Sequence, residues 1–332
     1  MPNVAINGMG RIGRALLKNL LDKPEFDVVA VNDIADIENI AYLLKFDSVY
    51  GRLGKSVETG DKKLIIDGES FDYLSERDPG DLPWADKNVD LVFECTGLFT
   101  TKKASSAHVD AGAKHVIMSA PAKDEDTAMV VHGVNSEAGD GQNVISCASC
   151  TTNCISPVVE VLDRHFGVEK ATMTTIHAYT SSQAIVDGPH KKFRRGRAGA
   201  VNFVPTSTGA AIATTKALPQ LKGKFDGAAI RGPIPVGSIA DIVFQLSKDV
   251  TVEEINDVFA KEAESDRYKG VLGASDEHLV SSDILKDSRA SIVDLTMTQV
   301  VGGDLVKVMS WYDNEWGYVN QMIREASRIL SV

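Results

Sequence analysis

Short apolar runs alternate with longer amphipathic or polar segments through the first half of the chain. The runs are Val4 to Ile6, Phe26 to Val31, Leu64 to Ile66, Leu91 to Phe93, Val116 to Met118 and Val144-Ile145. Continuous apolar runs of this length are typical of strands buried on both faces, and helices between such strands form the crossovers of a parallel sheet. The pattern predicts a Rossmann-type, doubly wound and mostly parallel α/β sheet.

The second half has a different pattern, with several strands and few helices. Strand-like segments are residues 228–231, 238–246, 291–301 and 305–311, the last two forming a hairpin that turns at Gly302-Gly303-Asp304, and 252–263 is helix-like. This order predicts an α+β domain with a mostly antiparallel or mixed sheet.

The change of pattern near residue 150 predicts a domain boundary. A final apolar stripe at helical spacing includes Val319, Met322, Ile323 and Ala326, so a C-terminal helix can return to cover the first domain. We expect a Rossmann-type domain over residues 1–149, completed by 316–332, and a second, α+β domain over 150–315.

The first apolar run leads directly into Gly8-Met9-Gly10-Arg11-Ile12-Gly13, a G-x-G-x-x-G motif that opens a helix pattern. Its glycines allow a tight turn, close approach of a pyrophosphate and tight helix–strand packing. Asp33 ends the second run about 20 residues later, where a carboxylate accepts from a ribose 2′-OH and repels a 2′-phosphate. Together these features predict dinucleotide binding with NAD favoured over NADP.

Three cysteines lie within eight positions where the run at Val144-Ile145 gives way to a helical pattern. Cys150 falls at the expected helix N-terminus, where unpaired N–H groups and the helix dipole favour a nucleophilic thiolate. The C-x₂-C-x₃-C spacing of Cys147, Cys150 and Cys154 also resembles a metal motif, but no fourth ligand is near, and we predict no metal. Pro157 predicts a kink or a late start for this helix.

His177 is the candidate base for this thiol. It ends a β-branched strand and begins an aperiodic segment to about Val201, and long irregular segments in compact domains tend to be functional or disordered. A basic cluster from Lys191 to Arg197 within that segment is compatible with an anionic ligand, a subunit contact or nucleic acid. The hydroxyls before the next helix, at Thr206 to Thr208, suit either phosphate binding or simple N-capping.

Composition limits the classes of partner. The 332 residues carry a formal net charge of -11, which argues against nucleic acid because phosphates attract basic surfaces. There is no run of 18 apolar residues and no charged n-region followed by an apolar h-region, so we expect no membrane partner and a cytoplasmic location.

Five blocks of sequence resemble the phosphorylating glyceraldehyde-3-phosphate dehydrogenase family, in the family's order. They are residues 6–14 (INGMGRIGR), 148–154 (ASCTTNC), 177–180 (HAYT), 206–211 (TSTGAA) and 310–318 (SWYDNEWGY). The resemblance implies a homotetramer that oxidises glyceraldehyde 3-phosphate with NAD and inorganic phosphate. It implies that Cys150 forms the thioester and that His177 is the acid–base.

The resemblance also implies two further sets of site residues. Cofactor contacts would come from Gly8, Gly10, Arg11, Ile12, Gly13, Asp33, Arg77, Ser119 and Asn314, the last holding the nicotinamide carboxamide. Phosphate contacts would come from Ser149, Thr151, Thr180, Arg197, Thr208, Gly209 and Arg231.

Four positions depart from the family's pattern. Cys147 stands where Asn is frequent, and Ser181-Ser182 stands where an Asn-Asp pair is common, so a carboxylate that such a pair would place near a phosphate site is absent here. Gly188 replaces a bulkier residue beside the adenosine ribose, so some NADP use is compatible with the sequence. An erythrose-4-phosphate dehydrogenase and a non-catalytic NAD-binding interaction protein remain the alternatives.

Overall fold

The structure is a computed structural model that describes residues 1–332, and the chain divides into two compact units. The first unit comprises Met1–Val130, Ser136–Ala148 and Met322–Val332, and the second comprises Val131–Asn135 and Ser149–Gln321. The chain thus passes from the first unit to the second immediately before the segment that carries Cys150.

The first unit is built on a nine-stranded sheet with the order β10-β11-β9-β8-β1-β2-β7-β6-β5. Its elements are β1 (Asn3–Asn7), α1 (Arg11–Leu20), β2 (Asp27–Asn32), α2 (Ile37–Lys45), β3 (Phe46–Asp47), β4 (Gly51–Arg52), β5 (Val57–Gly60), β6 (Lys63–Ile66), β7 (Glu69–Leu74), β8 (Leu91–Glu94), α3 (Lys102–Asp110), β9 (His115–Met118), β10 (Ala128–Met129) and β11 (Val144–Ser146). Strands β3 and β4 pair separately. The doubly wound arrangement predicted from the apolar runs is confirmed.

One edge of this sheet is antiparallel rather than parallel. β6 pairs antiparallel with both β5 and β7, whereas β1 pairs parallel with β2 and β8. Only Asp67 and Gly68, both with positive φ, join β6 to β7. Two residues can close a hairpin, whereas parallel strands need a crossover of a dozen residues or more.

The second unit contains an eight-stranded mixed sheet with the order β13-β14-β12-β15-β19-β17-β16, and β18 pairs with β19. The elements from Cys150 onward are α4 (Cys150–Phe166), β12 (Val168–Ala178), β13 (Val204–Ser207), α5 (Ala210–Ala217), β14 (Phe225–Gly232), β15 (Ser238–Leu246), α6 (Val252–Ala263), β16 (Leu272–Ser275), β17 (Ser291–Asp294), β18 (Gln299–Val301), β19 (Leu305–Tyr312) and α7 (Trp316–Leu330). β12 is parallel to β14 and antiparallel to β15, which confirms the predicted mixed sheet.

The predicted strand over residues 291–301 is wrong in its middle. A 3-10 turn at Leu295–Met297 divides it into β17 and β18, because the Asp294 carboxylate accepts from the backbone N–H and the hydroxyl of Thr296. The hairpin itself forms as predicted, since Val301 pairs with Leu305 across Gly302-Gly303-Asp304.

Helix α4 begins at Cys150 and continues through Pro157, so the late start suggested by this proline is wrong. Ser149 fixes the start, because its Oγ accepts from the Thr152 N–H at 3.1 Å. The helix then packs its buried residues, including Val158 and Leu162, against the second unit's sheet. No helix in the chain combines the length and the apolar character that crossing a membrane requires.

Candidate active site

A cleft of about 270 Å³ opens at the carboxyl ends of β1, β2 and β8 in the first unit. Gly8, Gly10, Asp33 and Arg77 line it, together with Thr96 after β8. In doubly wound sheets, ligands bind in the crevice outside the carboxyl ends of the strands, where the strands lead into the following helices.

The glycines of the turn are suited to an approaching dinucleotide. Gly8 has φ +96°, and a Cβ on it would lie 2.7 Å from Thr96 N, whereas a Cβ on Gly13 would lie 1.9 Å from Gly8 O. Nothing lies within 4 Å of a Cβ on Gly10, so its outer face is open. Helix α1 follows, with no side-chain cap and no acidic residue in its first turn at Arg11 and Ile12. These features fit an NAD pyrophosphate at the helix N-terminus.

The predicted ribose acceptor is held in place by the turn itself. Asp33 Oδ2 accepts from Met9 N at 2.6 Å, and Oδ1 accepts from Ala35 N at 2.9 Å. Both donors are backbone N–H groups, so the position of the Asp33 carboxylate beside the glycine turn is set by the backbone rather than by neighbouring side chains. Ser119 follows β9 and forms a side-chain hydrogen bond with Cys95, next to Thr96 of the cleft.

The Arg11 side chain forms an ion pair with Asp47, a residue that the sequence did not single out. Its Nη1 donates to Asp47 Oδ1 at 2.9 Å, and the buried Lys18 ammonium donates to Asp47 Oδ2 at the same distance. Its guanidinium also lies over the Tyr50 ring. These two donors and two backbone N–H groups hold the pKa of the Asp47 carboxyl far below its usual range, although burial opposes them.

Buried polar side chains support the floor of the cleft. Trp84 Nε1 donates to His108 Nδ1 at 2.9 Å, which leaves His108 Nε2 as the protonated atom facing Glu94 Oε2 at 3.1 Å. Asn7 Nδ2 donates to the same Glu94 oxygen, and Thr96 N donates to the other at 2.7 Å. His108 therefore has a structural role, because both of its ring nitrogens bond to buried side chains.

The second unit places the predicted nucleophile and base in contact. Cys150 Sγ, at the first residue of α4, lies 3.4 Å from His177 Nε2 near the end of β12. His177 Nδ1 lies 2.7 Å from Ala178 O and 2.5 Å from Arg231 Nη1. Arg231 comes from β14, and the register of β12 and β14 sets it directly beside His177.

The charges around this pair act in opposite directions. Burial raises the pKa of the Cys150 thiol, while the Arg231 charge and the N–H groups at the start of α4 lower it. Burial and the Arg231 charge lower the pKa of His177 to about 3, so the imidazole is neutral at physiological pH in this structure. A neutral imidazole can take the thiol proton as substrate arrives.

Four of the predicted phosphate residues lie in loops or at helix starts of the second unit. Ser149 caps α4, Gly209 starts α5 with its outer face open, and Thr208 Oγ1 accepts from Ala210 N. Thr180 Oγ1 lies 2.8 Å from Ser182 Oγ.

Two of the predicted phosphate residues are engaged elsewhere. Thr151 is buried and its hydroxyl bonds to Tyr312 Oη at 2.8 Å. Arg197 forms an exposed ion pair with Asp187 at 2.7 Å.

Arg195, rather than Arg197, forms a hydrogen bond with a hydroxyl of this part of the second unit. Its Nε donates to Thr206 Oγ1 at 3.1 Å, and its charge reaches His177 and Arg231. Sequence reasoning missed Arg195 because an aperiodic segment gives no face on which to place neighbouring arginines. The buried Arg231 Nε has no hydrogen-bond partner, which suits a site for an anion.

Asn314, after β19, is the last predicted site residue. Its Oδ1 accepts from Gly237 N at 3.2 Å and from Ser238 Oγ at 3.1 Å. The side-chain NH₂ is therefore the group left to donate to a ligand such as a carboxamide oxygen.

A Rossmann unit with an NAD-type glycine turn and a second unit with a paired cysteine and histidine define a thiol-dependent, NAD-linked dehydrogenase. Two family models agree: the NAD binding domain of glyceraldehyde 3-phosphate dehydrogenase matches residues 2–102, and its C-terminal domain matches residues 149–314. The chain belongs to the glyceraldehyde-3-phosphate dehydrogenase family.

Relatives along almost the whole chain carry the same description. A glyceraldehyde-3-phosphate dehydrogenase of Mycobacterium tuberculosis is 52% identical over 328 residues, covering 96% of each chain. The Streptomyces coelicolor enzyme is 49% identical over 323 residues, covering 96% of each. Glyceraldehyde-3-phosphate dehydrogenase 1 of Bacillus cereus is 47% identical over 333 residues, covering 100% of this chain and 99% of the relative.

Proposed function

We propose that the chain catalyses the reversible, NAD-dependent oxidative phosphorylation of glyceraldehyde 3-phosphate to 1,3-bisphosphoglycerate. The observation that carries the proposal is the 3.4 Å contact between Cys150 and His177 in a chain that belongs to this family over its whole length. A chain that had retained only NAD binding would have no need for a thiol and an imidazole in contact beside two arginines.

The proposed chemistry begins with a proton transfer from Cys150 to His177, and the thiolate attacks the aldehyde carbon. The carbonyl oxygen takes the proton back from His177, which gives a thiohemiacetal. Bound NAD supplies the acceptor for the hydride that this carbon then loses. His177 takes the hydroxyl proton in the same step, and a thioester on Cys150 remains.

Inorganic phosphate then attacks the thioester carbonyl. The C–S bond breaks, the acyl phosphate leaves, and the thiolate regains the proton held by His177, while the phosphate's own proton goes to solvent. The oxyanion that forms at the carbonyl needs donors, and the Cys150 backbone N–H at the start of α4 is suited to this role with His177.

We assign the anion sites to the residues around this pair. Arg231 and Thr180 would hold the substrate phosphate, supported by the unpartnered Arg231 Nε. Ser149, Thr208 and Gly209 would receive the attacking phosphate, and Arg195 is better placed than Arg197 to neutralise it. Arg197 would have to break its ion pair with Asp187 first.

NAD would lie along the glycine turn. The N–H groups of Arg11 and Ile12 would face the pyrophosphate, Asp33 the ribose, Arg77 the adenine end, and Asn314 the carboxamide. Ser119 would border the cleft beside Cys95.

The assembly we propose is a homotetramer. Large apolar side chains are exposed on the aperiodic segment after β12 and just beyond it: Ile185, Val186, Phe193, Val201 and Phe203 are 72% to 89% exposed. Exposed apolar groups concentrated on one segment indicate a surface that a second copy covers. Light scattering of the purified chain tests this, and a monomer at micromolar concentration would contradict it.

Steady-state assays with glyceraldehyde 3-phosphate and erythrose 4-phosphate, each with NAD and NADP, test the function. We expect phosphate-dependent turnover with glyceraldehyde 3-phosphate and NAD. Equal turnover without phosphate would refute the phosphorylating reaction, and a preference for erythrose 4-phosphate would favour the alternative enzyme. Cys150→Ser should abolish thioester formation while leaving NAD binding intact.

A further inference from the structure

Ser238, the first residue of β15, connects the base and the predicted carboxamide residue. It is fully buried. Ala178 N, next to His177, donates to Ser238 Oγ at 3.1 Å, and Ser238 Oγ lies 3.1 Å from Asn314 Oδ1. No pattern in the sequence distinguishes this serine from other strand residues.

The direction of each hydrogen bond follows from what its atoms can do. A backbone N–H only donates, so Ser238 Oγ accepts from Ala178, and its single proton remains for Asn314. Gly237 N also donates to the same Asn314 atom, so that atom must be the amide oxygen. The NH₂ group of Asn314 is thereby turned away from β15.

The backbone around the serine is equally constrained. Gly237 has φ +84°, and a Cβ on it would lie 2.3 Å from Ser281 O, so the position that supplies one donor to Asn314 accepts only glycine without strain. Ser238 pairs with Tyr312 across β15 and β19, two residues before Asn314. Without the Ser238 hydroxyl, the Gly237 N–H would be the remaining donor to Asn314 Oδ1. The Ala178 N–H would lose the Ser238 oxygen that accepts its hydrogen bond, which is costly for a buried donor.

We propose that Ser238 is a positioning residue that fixes the amide orientation of Asn314 for the nicotinamide carboxamide and ties that orientation to the backbone beside His177. The proposal rests on the assignment of Asn314 as the carboxamide-binding residue.

Calorimetry of the full chain with NAD and with ADP-ribose, which lacks the nicotinamide, tests the proposal. Ser238→Ala should weaken NAD binding roughly threefold to tenfold, the value of one hydrogen bond, and leave ADP-ribose binding unchanged. Ser238→Cys, which keeps a weaker donor in nearly the same volume, should fall between the two. The matched control is Ser291→Ala, which loses a buried bond to Ser310 in the same sheet and should bind both ligands normally.

A double-mutant cycle with Asn314→Ala separates this proposal from the function on which it rests. If Ser238 acts through Asn314, Ser238→Ala should have no further effect on NAD affinity in the Asn314→Ala background. Unchanged NAD affinity in Asn314→Ala would overturn the carboxamide assignment and this inference together. A loss in Asn314→Ala with none in Ser238→Ala, or an equal loss for NAD and ADP-ribose in Ser238→Ala, would overturn the inference alone.

Discussion

Gly10→Ala should give a folded protein with impaired NAD binding. Gly10 has φ −67° and ψ −162°, angles that alanine adopts, and nothing lies within 4 Å of its Cβ position. Alanine lowers the entropy of the unfolded chain, which stabilises the folded protein by about 0.4–1 kcal/mol. Alanine is also a poorer N-cap than glycine, which destabilises the helix by up to about 1 kcal/mol. The two effects offset, so the free energy of unfolding should change by less than about 1 kcal/mol.

The added methyl group points where a pyrophosphate would approach the turn. Forcing an extra methyl into a packed contact costs about 1–3 kcal/mol, which corresponds to a roughly fivefold to 150-fold weaker Kd. Calorimetric titration with NAD and urea unfolding of the same preparation measure the two quantities. Wild-type affinity in Gly10→Ala would refute the placement of the dinucleotide over this turn.

Two other glycines serve as comparisons for this experiment. Gly13→Ala would place a Cβ 1.9 Å from Gly8 O and should lose stability as well as binding. Gly60→Ala, on the edge strand β5, meets only ordinary contacts at 3.6 Å and should change neither quantity.

Three further substitutions test separate parts of the site. His177→Asn should slow alkylation of Cys150 at neutral pH, because the thiol loses the neutral imidazole that can take its proton. Asp33→Asn should improve NADP relative to NAD roughly tenfold in kcat/KM, because a nearby like charge costs about 1–4 kcal/mol. Asp47→Asn should lose about 3 kcal/mol of stability in urea by leaving Lys18 without its anion. Because the folded pKa of Asp47 is depressed, its contribution is complete at neutral pH, and the loss should shrink only below about pH 4.

The parts of the site that the sequence identified are those with a local signal. The turn from Gly8 to Gly13 needs glycine at fixed spacing, and Cys150 stands at a strand-to-helix junction that hydrophobic periodicity reveals. His177 could be placed at a strand end for the same reason. Resemblance then supplied Arg231 and Asn314, which local patterns do not distinguish.

The remaining features depend on contacts between distant segments. Whether the charge of Arg195 or that of Arg197 reaches His177 depends on Asp187, which forms an ion pair with Arg197, and on Thr206 on β13, which accepts a hydrogen bond from Arg195. Tertiary pairing of this kind leaves no periodicity in the sequence, so sequence patterns could not predict it. The antiparallel edge at β6 has a local cause instead, because Asp67-Gly68 is a two-residue hairpin turn that the apolar runs by themselves do not show.

The four cysteines show how surroundings, rather than position in the cluster, select the nucleophile. Burial raises the pKa of all four thiols, and Glu94 adds to this at Cys95. Cys147 is buried beside β11, and burial together with the Glu325 charge raises the pKa of its thiol. Cys154 Sγ forms only long hydrogen bonds, at 3.8 Å, to Ser291 Oγ and Ser310 O. Cys150 alone combines helix-start N–H groups, the Arg231 charge and His177 within 3.4 Å. Burial keeps the Cys150 thiol protonated until a substrate binds, and His177 can then accept the proton.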